Sequence, residues 1–304
     1  MICPYCLRNT SANPCKHCKE PLTQLYVQQH KGLSKAPAIL SAVGFSGHGK
    51  TVYLAALLHA MERQLTRVWK GFYRQALDIE SVKTVQANLA LLQQGELPES
   101  TRRNFPRPSA HRLARIPSYG TRDLLIYDPP GEAFDTDTGI ESYAHFVKSA
   151  SCVLFLVSLE DLPEPKAAEL HRLLETYVLG LARLGAKTKR QHLIVAYTKA
   201  DLLIDEFSGL LTVRDHLQNH YHEAELAKPR KYQRMLDVVS DELASYTAST
   251  LGALNFANLA TEAFRSIAYS TVSALGAPPE DGYLVTAIQP RAVVDPLMWL
   301  LSRS

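Results

Sequence analysis

The octapeptide Gly44-Phe45-Ser46-Gly47-His48-Gly49-Lys50-Thr51 constrains this chain more than any other stretch. It has the form G-x-x-x-x-G-K-T, follows an apolar, β-leaning run at 39–43, and precedes Val52-Tyr53-Leu54-Ala55-Ala56-Leu57-Leu58, which reads as a helix. That strand–loop–helix setting is what a phosphate-binding loop requires. Gly44, Gly47 and Gly49, with Ser46 and His48 between them, let backbone N–H groups turn inward around a phosphate chain. The N-terminus of the following helix adds its positive dipole end. Lys50 would reach the β- and γ-phosphates, and the Thr51 hydroxyl would ligate Mg²⁺. The implied ligand is a nucleoside triphosphate.

Three further segments end apolar strands. Asp123-Leu124-Leu125-Ile126-Tyr127 delivers Asp128-Pro129-Pro130-Gly131. Asp128 can hold Mg²⁺ through water, and Gly131 can offer its N–H to a γ-phosphate because no side chain blocks the approach. His192-Leu193-Ile194-Val195-Ala196-Tyr197 leads into Thr198-Lys199-Ala200-Asp201. A carboxylate at 201 can accept from N1–H and the exocyclic amine of guanine; adenine lacks that donor pair and would leave the carboxylate unsatisfied. Lys199 is expected to lie along the base plane with its head toward the loop at Gly44. A strand over 266–272 delivers Ser273, Ala274 and Leu275 to its end, where Ser273 and Ala274 can supply backbone contacts to the guanine oxygen.

The rest of the chain reads as alternating elements. A helix is expected over 51–68, a short strand near 72–74, a helix over 81–94 and a loop from Leu97. A buried strand spans 151–157 with Cys152 in the core, followed by a helix over 163–184. Residues 205–264 read as a helical insertion. Within it His216, His220 and His222 are expected on a solvated polar face, and a last helix covers 296–301. The fold class is α/β: a three-layer P-loop NTPase sandwich with a mostly parallel sheet and helical insertions at about 70–100 and 205–264. Its main domain covers 38–304, preceded by a linker over 25–37.

Residues 1–24 stand apart. Cys3-Pro4-Tyr5-Cys6 and Cys15-Lys16-His17-Cys18 form C-x2-C-x8-C-x2-C. Two such pairs can point four thiolates at one ion, and structural Zn²⁺ is the leading reading over iron, disulfides or a redox pair. So short a segment has almost no core, so the metal would supply its folding free energy. His17 falls between well-spaced ligands and is expected in the outer shell or solvent. Residues 1–36 carry Arg8, Lys16, Lys19, Lys31 and Lys35 against Glu20 alone, while the whole chain is only +3. The ribbon therefore reads as a protein-docking module, with nucleic-acid contact as the sharper alternative. There is no basic-then-apolar leader and no apolar run near about 18 residues, so a membrane span is not expected. Four of the five cysteines are crowded into one cluster, which points to a reducing, cytoplasmic compartment.

The ordered set Gly44–Thr51, Asp128–Gly131, Thr198–Asp201 and Ser273–Ala274 resembles the Ras-like, TRAFAC class of P-loop GTPases. The segment Leu97-Pro98-Glu99-Ser100-Thr101, then Tyr127-Asp128-Pro129-Pro130-Gly131-Glu132 and a late Asp295-Pro296-Leu297-Met298-Trp299-Leu300-Leu301, looks more narrowly like bacterial double-GTPase-type domains. The resemblance implies GTP/GDP and Mg²⁺ as ligands, a molecular switch, and service in a bacterial regulatory or conflict system. It implies that Thr101 binds Mg²⁺ and the γ-phosphate, with Ser100 and Ser109 as competitors. Glu132 stands where relatives carry the glutamine or histidine that positions the attacking water, which implies slow intrinsic turnover. Lys50, Thr101 and Glu132 are thus the expected catalytic residues. Ser46 replaces a common glycine and could crowd an activator's arginine. Arg102, Arg103 and Arg107 are solvated or phosphate-steering, or one is an arginine finger in cis. A protein effector or operon partner and a nucleotide-dependent dimer are the partners implied; a GTP-bound scaffold without turnover is the competing reading.

Overall fold

The computed structural model describes residues 1–31, 36–98, 107–218, 223–280, 283–284 and 286–303. Its frame is one seven-stranded sheet of order β2-β3-β4-β1-β5-β6-β7. The strands are β1 (Ala38–Gly44), β2 (Tyr73–Ala76), β3 (Ser109–Ile116), β4 (Gly120–Tyr127), β5 (Cys152–Val157), β6 (His192–Tyr197) and β7 (Ser266–Thr271). β4, β1, β5, β6 and β7 run parallel, while β3 is antiparallel to both its neighbours.

Strands buried on both faces must be apolar nearly throughout, and these are. Along β5, Val153, Phe155 and Val157 enter one core cluster, whereas Cys152, Leu154 and Leu156 enter the other. β1 divides the same way, with Ile39 and Val43 opposite Ala38, Leu40 and Ala42. Helices cover both faces: α1 (Gln24–Lys31), α2 (Lys50–Ala60) with its π-turn Met61–Leu65 and α3 (Thr66–Val68), α4 (Ile79–Gln93), α5 (Asp137–Tyr143) and α6 (Lys166–Arg183). Beyond β6 follow α7 (Leu211–Gln218), α8 (Glu223–Leu226), α9 (Pro229–Ser245), α10 (Leu254–Ala263) and α11 (Asp295–Arg303). The result is the three-layer α/β sandwich of a P-loop NTPase. Among the described residues no helix is long and apolar enough to cross a membrane.

Five expectations need correction. β2 falls where the short strand near 72–74 is expected, but β3, past the insertion expected at 70–100, was not foreseen and extends the sheet. β3 hides in the sequence because it buries charge: Arg112 pairs with Asp123 of β4 at 3.0 Å and donates to the Gln29 carbonyl at 2.7 Å. The linker expected over 25–37 is helical through Lys31, and α1 is held down by Tyr26 in the core and by that Arg112 bond. His216 is buried, not solvated; it lies 2.6 Å from Asp295 at the start of α11, and Tyr232 of α9 donates to the same carboxylate at 2.5 Å. His220 and His222 lie outside the described residues. The remaining two, at Ser273 and Lys199, belong to the site.

Candidate functional site

The site lies along the C-terminal edge of the parallel strands, at the point where the chain leaves β1 for one side of the sheet and later returns to the other. Open α/β sheets place ligands at this switch point. Gly47 and Gly49 take φ of 82° and 74°, left-handed values that side chains disfavour, and they turn the loop into the start of α2. Ser46 and Gly47 face solvent, whereas His48 is buried. Burial holds the His48 imidazole below its usual pKa, so its Nδ1 can accept from the Ser158 N–H at 3.4 Å. The His48 carbonyl accepts the Thr198 hydroxyl at 2.9 Å, which ties the base-recognition loop directly to the phosphate loop.

Lys50 is buried, and its Nζ lies 3.0 Å from Asp128 Oδ1. The two charges that would meet phosphate and metal therefore neutralise each other across β1 and β4. A cation already stands against Asp128 here, which fits a carboxylate that also serves Mg²⁺; Thr51 is on the first turn of α2 beside it in sequence. Gly131 approaches the phosphate loop so closely that a Cβ would sit 2.5 Å from the Ser46 nitrogen. Any side chain there would push this turn off the loop. Glu132 is the second residue of the 3-10 turn Gly131–Phe134 and lines a separate depression with Asp135, Thr136 and Tyr143.

A cavity of about 250 Å³ opens beside the phosphate loop. Gly47, Gly49, Thr198, Lys199, Asp201, Ala274 and Leu275 all line it, so sites read from three separate stretches converge on one wall. Asp201 Oδ1 accepts the Ser273 hydroxyl at 2.6 Å, and Ser273 Oγ accepts the Gly276 N–H at 3.0 Å. The Ser273 backbone is already committed, exchanging hydrogen bonds with Arg291 at 3.0 and 2.8 Å. Ser273 thus orients the carboxylate through its side chain and does not offer its N–H to a base. Lys199, at φ 54°, turns its ammonium to Asp161 at 2.6 Å and not to the Gly44 loop. Partial burial would raise the Asp161 pKa, but the hydrogen bonds from Lys199 and Ser158 and the lysine charge hold it below the usual carboxylate range.

Leu97, Pro278 and Pro279 complete the cavity walls and were not foreseen. They arrive because the Leu284 N–H donates to the Gly95 carbonyl at 2.7 Å and Glu96 bridges Tyr283. This pairing joins residues nearly two hundred positions apart, and no local signal announces it. Thr101, Arg102 and Arg103 lie outside the described residues. Arg107 is described; it pairs with Glu20 at 3.4 Å and stands over the Tyr5 ring at 5.7 Å, in the ribbon.

In the ribbon, Cys3 and Cys18 sulfurs are 3.7 Å apart, Cys6 and Cys15 3.8 Å, and all four lie within 4.8 Å of one another. Four sulfurs at about 2.3 Å around a tetrahedral Zn²⁺ would be separated by about 3.8 Å, so the cage has the size of that ion. Both knuckles share one backbone plan. Cys3 N–H donates to the Arg8 carbonyl and Leu7 N–H to Cys3, as Cys15 donates to Glu20 and Lys19 to Cys15. Leu7 and Lys19 both take left-handed φ, at 55° and 63°. His17 faces the Asn9 carbonyl at 3.0 Å, outside the sulfur cage.

A phosphate loop, a strand-end Asp-x-x-Gly and a Thr-Lys-x-Asp on one sheet edge define a P-loop domain of the GTPase type. The family model for Double-GTPase 2 matches residues 38–258, and the chain belongs to that family. No curated protein matches the chain. Among solved structures, a GTP-binding protein from the hyperthermophilic archaeon Sulfolobus solfataricus in complex with GDP is 12% identical, over 91% of this chain and 54% of that one, with a TM-score of 0.35. The signal recognition particle receptor SRb-GTP/SRX complex from Chaetomium thermophilum is 15% identical, over 90% of this chain and 100% of that chain, with a TM-score of 0.43. The chain spans about half the length of the archaeal protein.

Proposed function

We propose that this protein is a GTP-dependent molecular switch that hydrolyses GTP slowly with Mg²⁺ and acts through a protein partner in the bacterial cytoplasm. The observation that carries the reading is Asp201, aimed by Ser273 at a cavity that begins at the phosphate loop. Guanine offers that carboxylate two donors beside the Ser273 hydroxyl, and adenine offers no such pair. Thr198 keeps the base wall in register with the loop, and Ala274 and Leu275 close the wall beyond it.

Lys50 would leave Asp128 for the β- and γ-phosphates, and Asp128 and Thr51 would hold Mg²⁺, with Thr101 as a further ligand. Bound there, Mg²⁺ would neutralise charge on the transferring phosphoryl group. Gly131 gives its N–H to the γ-phosphate, and Glu132 orients or deprotonates the attacking water. Cys3, Cys6, Cys15 and Cys18 would hold Zn²⁺ as a structural ion.

A second reading, a GTP-bound scaffold, draws on Glu132, which lines a depression away from the base cavity. A third reading, a GTP-regulated nucleic-acid binder, draws on the basic residues of the ribbon, where Arg107 stands over Tyr5 and pairs with Glu20.

The test is phosphate release from zinc-replete protein with Mg²⁺ and GTP or ATP, beside Lys50→Ala and Asp201→Asn. The reading expects release from GTP alone, abolished by Lys50→Ala, with Asp201→Asn lowering the preference for guanine by roughly 5- to 150-fold, the worth of one unsatisfied buried polar group. Equal use of ATP would sink the role given to Asp201. GTP binding with no release would favour the scaffold.

A further inference from the structure

Among the contacts that tie the ribbon to the sheet domain, two flank its knuckles. From the first knuckle, the Pro4 carbonyl, one residue from Cys3 and two from Cys6, accepts the Tyr127 hydroxyl at 2.5 Å. Tyr127 is the last residue of β4, and the next residue is Asp128, the partner of Lys50. The Tyr127 ring is fully buried and stacked on Phe146 at 4.3 Å, so its hydroxyl cannot swing to another partner without disturbing the core. From the other side, Arg107 lies between the knuckles, over Tyr5 of the first and paired with Glu20 just past the second. Glu20 is itself part of the second knuckle, since its carbonyl accepts the Cys15 N–H at 2.9 Å. Arg107 also falls within about 95–109, which with about 128–145 the GTPase resemblance reads as the switch segments that reorder when the γ-phosphate leaves.

These contacts exist only while the knuckles are folded. The ribbon's own buried apolar cluster amounts to Cys3, Cys15 and Leu22, too little to hold Pro4 and Glu20 in place without an ion. The turn from Asp128 to Gly131 is in turn held by Lys50 and by the Gly131–Ser46 approach, and a nucleotide that draws Lys50 away must shift it.

We propose that the four-cysteine ribbon is a built-in sensor of the nucleotide state, coupled to the γ-phosphate through Tyr127 on one switch and Arg107 on the other. This rests on the reading of the cavity as a GTP site and goes beyond it by assigning the ribbon a regulatory role. Coupling between two binding sites is reciprocal. Metal affinity therefore differs between the GDP and GTP forms, and removing the metal changes the ratio of GTP to GDP affinity by the same factor.

The experiment titrates the full, zinc-loaded chain with the chelator 4-(2-pyridylazo)resorcinol in saturating GDP or guanylyl imidodiphosphate, with fluorescent analogues reporting nucleotide occupancy. Couplings between sites run about 5- to 150-fold, and the two zinc affinities are expected to differ within that range. Arg107→Ala, at an exposed side chain, and Tyr127→Phe, which deletes one hydroxyl, should each bring the ratio toward unity while all four cysteines remain. Equal zinc affinity with both nucleotides demonstrably bound would overturn the coupling and leave the GTP site standing. So would a ratio unchanged in both variants. Failure of either nucleotide to bind would overturn the GTP reading, and the coupling with it.

Discussion

The ribbon and the sheet domain solve the same problem by opposite means. The domain hides two extensive apolar clusters on either side of one sheet. The ribbon's own buried apolar cluster is three residues, two of them cysteines. Burial of apolar surface stabilises roughly in proportion to area, so the first can fold on hydrophobic burial and the second cannot. The ribbon's order depends on four sulfurs and whatever ion they hold, and on a few hydrogen bonds at its seam with the domain. One polypeptide thus carries a module whose stability is a metal-binding constant beside one whose stability is a packing density.

The largest expected effect is metal removal. Structural zinc sites are worth about 10–16 kcal/mol of apparent binding energy, so chelation should unfold residues 1–22 outright. Limited proteolysis should then cut in the ribbon while the sheet domain keeps its cooperative unfolding; continued protection of the ribbon after chelation would break the comparison. Next comes Phe155→Ala, in the middle of β5 and wholly buried. A loss of about 3–5 kcal/mol is expected from urea denaturation, with metal affinity unchanged.

The third effect concerns the buried His216–Asp295–Tyr232 cluster. Burial alone would lower the His216 pKa, but the charge and hydrogen bond of Asp295 outweigh it and the net shift is upward. A raised histidine contributes stability that is complete below its unfolded pKa of about 6.5 and is lost as pH rises through the folded value. The domain should therefore weaken as pH rises above about 6.5, and Asp295→Asn should remove that slope at a cost of about 3 kcal/mol at the acid end. A slope that persists in the variant would show that another group titrates. The smallest effect is at the seam. Thr23 donates to the Leu77 carbonyl at 2.7 Å, and Thr23→Val should cost about 1 kcal/mol. Isothermal metal titration would show whether that loss falls on the ribbon or on the domain.

Much of the site is legible because its signals are local. The phosphate loop needs glycines at set positions, and Gly47 and Gly49 do adopt the left-handed conformation their placement implied. β6 spans His192–Tyr197, as its unbroken apolar run predicts, and Thr198 and Asp201 follow at its end. What escaped depends on distant partners. β3 could hide Arg112 because Asp123 lies opposite it on β4, and β3 does not display the alternation by which strands are recognised. His216 looked solvated because the carboxylate that buries it lies 79 residues away. Ser273 was read as a backbone donor, yet its backbone pairs with Arg291 and its hydroxyl serves Asp201.

The sequence alone determined the chemistry available: a phosphate loop, a strand-end aspartate, a carboxylate for the base and four cysteines spaced for one ion. Those follow from residue type and short-range spacing, which the chain carries without being folded. Only the tertiary structure decided that Lys50 rests on Asp128, that Lys199 rests on Asp161, and that Arg107 reaches into the ribbon. A long charged side chain takes whichever opposite charge the packing of the sheet brings within reach, and that neighbour is set by topology, not by position along the chain.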